Sequence, residues 1–406
     1  MLRMETIHTA LKKIHDLSEA YFDYSCRCYR HLHAHPELSF CEFETSAFVC
    51  SELDKMGIEY RSGFGTTGVL GLISGKKSPL DKTVALRADM DALPLSEGTN
   101  LPWKSLRDGV MHACGHDAHT ASLLGAARIL KDMEDSFSGR VLLVFQPGEE
   151  KSPGGARLML EDGVFEDWKP DMIIGQHVSP DYPTGTLAFR EGRVMASADE
   201  IHIKIRGKGG HGALPHLLND TVLAASQSIV ALQQLRSRLC HPLTPMVLSF
   251  GSLIAEGATN VIPSEVRLSG SLRTMDELWR EQAKEHIRRI VTATCDACGC
   301  CAEIDIPEGY PCVDNHPQVT QAARRFAEEY LGKESVRDME VRMTSEDFGF
   351  FTQCYPATFY RLGIRGKENA QAGGLHTTSF RIDEEALKTG SGALAYLAWR
   401  FLEGVS

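Results

Sequence analysis

The sequence predicts an α/β fold, a largely parallel mixed sheet flanked by helices, with a second α+β unit inserted into it. Three observations carry this reading. From Thr83 onward, short apolar runs of buried-strand type alternate with helix-like segments. Four of those runs lead into side chains able to bind metal or move protons. Between about Arg193 and Pro307 the texture changes to strands in which every second residue is apolar. Strands alternating with helices build a parallel sheet, whose ligands bind beyond the carboxyl ends of the strands. Alternating strands suit an antiparallel sheet with one face covered by helices.

Taken in order, Ile7 to Met56 reads as largely helical, with Gly57 as its stop. Gly63, Gly65, Gly68 and Gly71 mark turns in a short β-rich region. Thr83 to Arg87 then leads into Asp89 and Asp91, and Val141 to Phe145 into Glu149 and Glu150. Met172 to Gly175 leads into His177, and Thr358 to Gly363, after a Gly-rich loop, is followed by His376. Helices over Thr120 to Met133 and Gly155 to Glu161 lie between these runs. In the insertion, Ile201 to Ile205, Met246 to Leu253, Val266 to Leu272 and Ala302 to Ile306 read as strands. Asp220 to Leu239 and Glu277 to Thr294 read as its two helices. The expected division is 1–193 with 308–406 as one domain and 194–307 as the inserted one.

The 406 residues, 43% hydrophobic and 24% charged, are enough for two domains. No run approaches the ~20 apolar residues of a bilayer span. Met1 to His15 lacks the apolar core of a secretion signal, so the expected location is cytoplasmic, with no membrane partner. A net charge of -11 and a pI near 5.8 argue against nucleic acid as a partner. With twelve Cys in a large chain without an export signal, metal ligation or burial is favoured over disulfides. Cys295, Cys298, Cys300 and Cys301 lack a second ligand pair downstream and read as buried or redox-exposed thiols rather than a zinc site.

The most informative stretch is MHACGHDAHT, which packs Cys114, His116, Asp117 and His119 just ahead of a helix. A thiolate and an imidazole two residues apart, with Gly115 allowing a tight backbone, suit one metal or two neighbouring ones. A helix-capping polar loop and a Cys nucleophile with a His base are the competing readings. In FQPGEE, adjacent carboxylates of an extended loop point apart, so one can face a metal while the other stays free as a base, and a solvated surface pair is an equal reading. Asp89 and Asp91 alone would read as caps or a turn before Pro94. His177 and His376 alone are equally ambiguous, so the argument rests on convergence. In the insertion, His211 lies on a Gly-rich turn that also reads as a hairpin tip. Asn260 and Arg273 lie in GATNVIP and GSLRT, and an Arg on a sheet face suits bidentate carboxylate binding or a solvated surface equally well.

Together, HAHPELSF, RADMDALP, MHACGHDAHTASLLGAA, FQPGEE, GKGGHGALPH, TNVIP, GSLRT, TSEDFGFF and GLHTTSF run nearly end to end in this order. The chain thereby resembles the amidohydrolase branch of the dinuclear aminoacylase and carboxypeptidase family. That branch includes hippurate hydrolases, N-acyl-L-amino-acid amidohydrolases and plant auxin-conjugate hydrolases. The resemblance implies a zinc-peptidase-like catalytic domain and an inserted dimerisation domain. It implies hydrolysis of N-acyl-L-amino acids, with a dipeptidase or aminopeptidase of the same family as the alternative. Two divalent ions per subunit are implied, manganese or zinc, with cobalt or nickel accepted in vitro. Their ligands would be Cys114, His116, Glu150, His177 and His376, with the Cys114 sulfur bridging where other branches use Asp. Glu149 would be the general acid/base and Asp91 would sit behind the metal site. Asp89 stands where related peptidases carry a His ligand and is not expected to ligate. In a homodimer His211 would reach the partner's site, while Asn260 and Arg273 would hold the substrate carboxylate. Gly148, where the family often has Ala, and Thr344, where Gly is common, are departures.

Overall fold

A computed structural model describes residues 2–79, 81–367 and 373–404. The chain divides into two compact units, one of residues 1–192, 314–340 and 350–406, the other of 193–313 and 341–349. The second unit therefore takes in 308–313 and 341–349, which the sequence texture assigns to the first. Local pairing explains the difference. Arg342 bridges Met195 and Tyr310 bridges Ala198, and the Arg273 guanidinium donates to the Met343 carbonyl at 3.3 Å and the Ser345 hydroxyl at 3.2 Å.

The first unit opens with three helices, α1 (Leu2–Ala20), α2 (Phe22–Ala34) and α3 (Phe43–Met56). The expected single helical stretch is thus interrupted between 35 and 42. Pro36 disfavours helical geometry at His35, and Phe40 adopts a left-handed φ of 65°. Gly57 ends α3 in the left-handed conformation, as its position predicts. Then follow β1 (Glu59–Phe64), β2 (Gly68–Ser74), β3 (Thr83–Asp89), α4 (His116–Asp132), β4 (Arg140–Gln146), α5 (Gly155–Glu161), β5 (Met172–Pro183) and β6 (Leu187–Phe189). Gly71 lies inside β2, paired with Tyr60 on one side and Leu143 on the other, not in a turn.

One eight-stranded sheet orders these as β1, β2, β4, β3, β5, Ala357–Arg365, β6 and Val336–Asp338. Its centre, β4, β3, β5 and Ala357–Arg365, is wholly parallel. Buried-type runs predict this, since parallel strands are covered on both faces. All seven residues of β3 are buried. Two of them are charged, and they sit two residues apart on the same face of the strand, where the Arg87 guanidinium pairs with the Asp89 carboxylate at 2.7 Å. Helix α4 packs on the sheet beside α2 and the C-terminal helix Glu385–Glu403, in a core that encloses Phe137, Phe145, Tyr360, Tyr396 and Trp399.

The second unit holds a four-stranded antiparallel sheet ordered Met246–Ile254, Glu265–Thr274, Asp199–Arg206 and Cys301–Asp305. Asp199–Arg206 alternates buried and open residues, as its period-two pattern predicts. Helices α6 (Thr221–Leu232) and α7 (Glu277–Ala297) pack together and against this sheet. Each is capped by an aspartate side chain, Asp220 accepting from the Leu223 amide and Asp276 from the Trp279 amide. The helix expected over Asp220 to Leu239 stops being α-helical at Leu232, and Leu235–Leu239 forms a π turn closed by the Cys240 amide on the Leu235 carbonyl. The His241–Pro242 step just beyond makes further helix unfavourable. No described helix is long and apolar enough to cross a membrane.

Cys295 and Cys300 sit at the end of α7, where the Cys300 amide bonds the Cys295 carbonyl at 2.9 Å and both thiols are buried. This is the Schellman closure of a helix, which places those two side chains in mutual apolar contact. No cysteine of that cluster belongs to a metal-competent group among the described residues.

Candidate metal centre

Four segments of the first unit bring their polar side chains to one edge of the sheet. The first is the turn before α4. Gly115 caps that helix at a φ of 87°, and a Cβ there would lie 2.5 Å from Val178 Cγ2, so only glycine lets Cys114 and His116 come together. The helix begins at His116, four residues earlier than its apolar pattern predicts, so His116, Asp117 and His119 occupy its first turns. Cys114 lies just beyond the helix N-terminus, where the helix dipole favours a thiolate.

Four triads of donor atoms gather around this turn, each within 4.8 Å. They are Cys114, His116 and His177; Cys114, Glu150 and His376; His116, Glu149 and Glu150; and Asp89, His116 and His119. Cys114 belongs to the first two, its Sγ lying 3.4 Å from His177 Nε2. His376 Nε2 stands 3.1 Å from a Glu150 carboxylate oxygen. His177 lies within β5, not after it, because that strand continues to Pro183. Its Nδ1 donates to the Val178 carbonyl at 2.6 Å, which leaves the Nε2 lone pair facing Cys114. His376 has a left-handed φ of 62°, held by its amide on the Ala113 carbonyl at 2.8 Å. A non-glycine residue in that conformation costs about 1 kcal/mol or more and marks an over-determined position. Residues 368–372, part of the Gly-rich loop before His376, lie outside the described residues.

Glu149 and Glu150 follow Gly148, whose φ is 55°. They stand in a turn, so the alternation expected of an extended loop does not apply, and both carboxylates reach His116. Asp91 supports the group from behind. Its Oδ1 meets His116 Nδ1 at 3.1 Å, while its Oδ2 accepts from Ser39 Oγ at 2.6 Å and from the Glu150 amide at 2.9 Å. That leaves His116 Nε2 buried and, among the described residues, without a hydrogen-bond partner, 3.7 Å from an Asp89 oxygen and 3.9 Å from Glu149.

The electrostatics of the group are those of clustered anionic donors. Burial alone would lower the His116 imidazole, but Asp89, Cys114 and Asp91 outweigh it and push it well above its ordinary value. The Cys114 and Glu150 contacts hold His376 at about 10. Both shifts have one cause: carboxylates and a thiol are gathered around these imidazoles and favour their charged form. Sulfur, imidazole and carboxylate donors around an orphaned imidazole nitrogen are what a divalent transition ion requires. Burial meanwhile keeps the Cys114 thiol above its ordinary value.

Several contributors are not legible as site residues. Glu42, wholly buried, accepts from the Phe40 amide at 2.9 Å, the Gly148 amide at 2.8 Å and Thr67 Oγ1 at 2.7 Å, anchoring the Glu149 turn. Ser39 does the same for Asp91. The bonds that reach the site, Ser39 to Asp91 and Glu42 to Gly148, span 52 and 106 residues, and spacing carries no trace of such contacts. Gly148 is also explained here. A Cβ would fall 2.2 Å from the Phe40 ring at a backbone conformation side chains resist. Gly148→Ala should lower stability by roughly 1–3 kcal/mol, checked by chemical denaturation, and reduce turnover by displacing Glu149. A wild-type midpoint in the variant would show that Phe40 yields without cost.

His33 clamps α2 to the start of α4, its Nδ1 2.6 Å from Asp117 and its Nε2 3.2 Å from Glu97. Burial opposes its charge, but the bonds to Asp117 and Glu97 and their charges raise it to about 9. A folded value above the unfolded one stabilises below about pH 6.5 and is lost as pH rises through about 9. The wild type should lose up to about 3 kcal/mol of stability across that window, and His33→Gln should flatten the loss. Urea midpoints at the two ends of the window measure it, and parallel curves for both proteins would exclude this role.

His211, Asn260 and Arg273 belong to the second unit. Gly210–His211 pairs with Val261–Ile262, which sets His211 opposite Val261 and beside Asn260, whose carbonyl accepts from the Gly212 amide at 2.8 Å. The Ala213 amide donates to His211 Nδ1 at 3.1 Å, so the exposed Nε2 carries the proton and is a donor.

The chain is similar to known proteins over nearly its whole length. It is 39% identical over 382 residues to thermostable carboxypeptidase 1 of Saccharolobus solfataricus, covering 93% of this chain and 95% of that one. It is 39% identical over 388 residues to IAA-amino acid hydrolase ILR1-like 5 of Arabidopsis thaliana, covering 95% and 88%. It is 39% identical over 374 residues to N-acetyl-L-cysteine deacetylase of Bacillus subtilis, covering 92% and 87%. Among solved structures, the YXEP protein of Bacillus subtilis, described as a dinuclear metal binding peptidase, matches with a TM-score of 0.82 and 35% identity, covering 95% of this chain and all of that one. The family model that matches residues 85–400 is peptidase family M20/M25/M40, and with relatives this similar over nearly its whole length, the chain belongs to that family of hydrolases.

Proposed function

We propose that this chain hydrolyses the amide bond of N-acyl-L-amino acids to a carboxylic acid and a free amino acid, with two divalent ions, manganese or zinc, at the Cys114 centre. The observation that carries the proposal is that Cys114 is common to two donor triads, one with His116 and His177, the other with Glu150 and His376. A shared thiolate between two triads suits a pair of ions. The relatives named N-acetyl-L-cysteine deacetylase and IAA-amino acid hydrolase support the acyl-amino-acid side.

When bound, the ions would supply Lewis acidity and lower the pKa of a water they share. The chain's residues do the rest. Glu149, set in a buried turn, takes the proton of the attacking water and returns it to the leaving amine. Asp91 orients His116 through Nδ1, and Glu42 holds the Glu149 turn in place. We assign oxyanion stabilisation to the His211 Nε2–H of a second copy of the chain, and the substrate carboxylate to Asn260 and Arg273. A dimer built on the second unit fits the exposure of Leu223, Val230, Val247 and Leu253 on α6 and the edge strand Met246–Ile254. Sedimentation velocity at micromolar concentration checks it.

The deciding experiment is a hydrolysis panel of N-acetyl, N-benzoyl and N-indoleacetyl amino acids beside free dipeptides, with manganese, zinc and cobalt added separately. Faster cleavage of the acylated compounds supports the proposal. Faster cleavage of free dipeptides would reassign the chain to the peptidases of the family, the reading that the carboxypeptidase relative favours.

A further inference from the structure

We infer that Asp89 and His119 form a buried lock that fixes where His177 points, making His119 a positioning residue for the metal centre proposed above. His119 stands one helical turn after His116, is 1% exposed, and shares a donor triad with Asp89 and His116 but none with Cys114, Glu149, Glu150, His177 or His376. Its two ring nitrogens are nonetheless both committed. The Val178 amide donates to Nε2 at 2.8 Å, so the ring proton must lie on Nδ1, which donates to Asp89 Oδ1 at 2.5 Å.

The lock extends in both directions. Asp89 Oδ2 accepts from Arg87 Nη1 at 2.7 Å, and Arg87 Nε donates to Gln146 Oε1 at 2.8 Å. Both Asp89 oxygens thereby have hydrogen-bond partners, which orients a carboxylate that also forms a donor triad with His116 and His119. On the other side, the Val178 peptide is tied at its N–H by His119, and the carbonyl of the same residue accepts from His177 Nδ1. Fixing the backbone at Val178 fixes the acceptor that sets the His177 ring, and so the aim of its Nε2 lone pair toward Cys114 Sγ. The chain from Gln146 through Arg87, Asp89, His119 and Val178 to His177 thus ties the ends of β3 and β4 to α4 and β5. A bare packing role for His119 would not need its acceptor nitrogen. The lock does.

That difference sets the test. In the full-length protein, His119→Gln keeps an acceptor near the Nε2 position for the Val178 amide, whereas His119→Asn keeps a donor near Asp89 but loses that acceptor. Cobalt(II) is titrated into wild type, His119→Gln and His119→Asn against a competing chelator, following stoichiometry, affinity and the thiolate-to-cobalt absorption band. His119→Asn should weaken binding of one ion by about 10–100-fold and shift the band, as loss of a supporting partner does, while His119→Gln stays within about threefold of wild type. Thermal melts of the metal-free proteins confirm that each variant folds. If wild type binds two ions and His119→Asn binds them as tightly with an unchanged band, or if His119→Gln is as impaired as His119→Asn, the lock is wrong and the dinuclear reading stands. If wild type takes up no metal, the dinuclear reading fails and the inference falls with it.

Discussion

Glu149→Gln is expected to lower kcat by roughly 10²–10⁴ while metal content and melting temperature stay at wild-type values. The Glu149 carboxylate is nearly buried, with an oxygen 3.9 Å from the orphaned His116 Nε2. Gln preserves the shape and the hydrogen bonding of that side chain but cannot take a proton. Elemental analysis of metal content alongside steady-state kinetics separates the effects. Glu150→Gln is the matching control, because Glu150 shares a donor triad with Cys114 and His376 and should lose metal first. Unchanged turnover in Glu149→Gln would remove that residue from proton transfer.

The second large effect concerns the shared thiol. Cys114→Ala should abolish binding of both ions, because Cys114 takes part in both triads, whereas His376→Ala should cost mainly the ion near Glu150. Cys114→Asp should retain two ions at reduced affinity, since a carboxylate also bridges divalent cations though it is a harder donor than sulfur. Stoichiometry by calorimetry or equilibrium dialysis reads all three. If Cys114→Ala kept one tightly bound ion, the thiol would belong to a single site and the bridging assignment would fail.

Much of the fold was legible because its signals are local. Apolar runs such as Val141 to Phe145 can only be buried strands when flanked by helices, and Asp199–Arg206 alternates because one face of its sheet is open. The failures were at ends and interruptions. Sequence pattern started α4 at Thr120 because His116 and His119 are polar, yet both are buried in its first turns where carboxylates compensate them. It ended the third apolar run before His177 because an imidazole breaks the apolar pattern, although β5 continues through it. In both places the polar residue inside the element is a candidate metal donor.

By itself the sequence determined which residue types are present and in what order. A Cys and a His flanking one glycine, two adjacent carboxylates after a buried strand, and isolated histidines near two other strands sufficed to propose a metal-binding edge. Only the tertiary structure decided that Cys114 is common to two triads, that both carboxylates of the Glu149–Glu150 turn reach His116, and that Ser39, Glu42, Asp89 and His119 brace the group. The physical reason is that an apolar pattern is written along a chain by burial, residue by residue. A hydrogen bond or a shared ligand is a relation between segments tens to hundreds of residues apart, and it leaves no periodic mark on either.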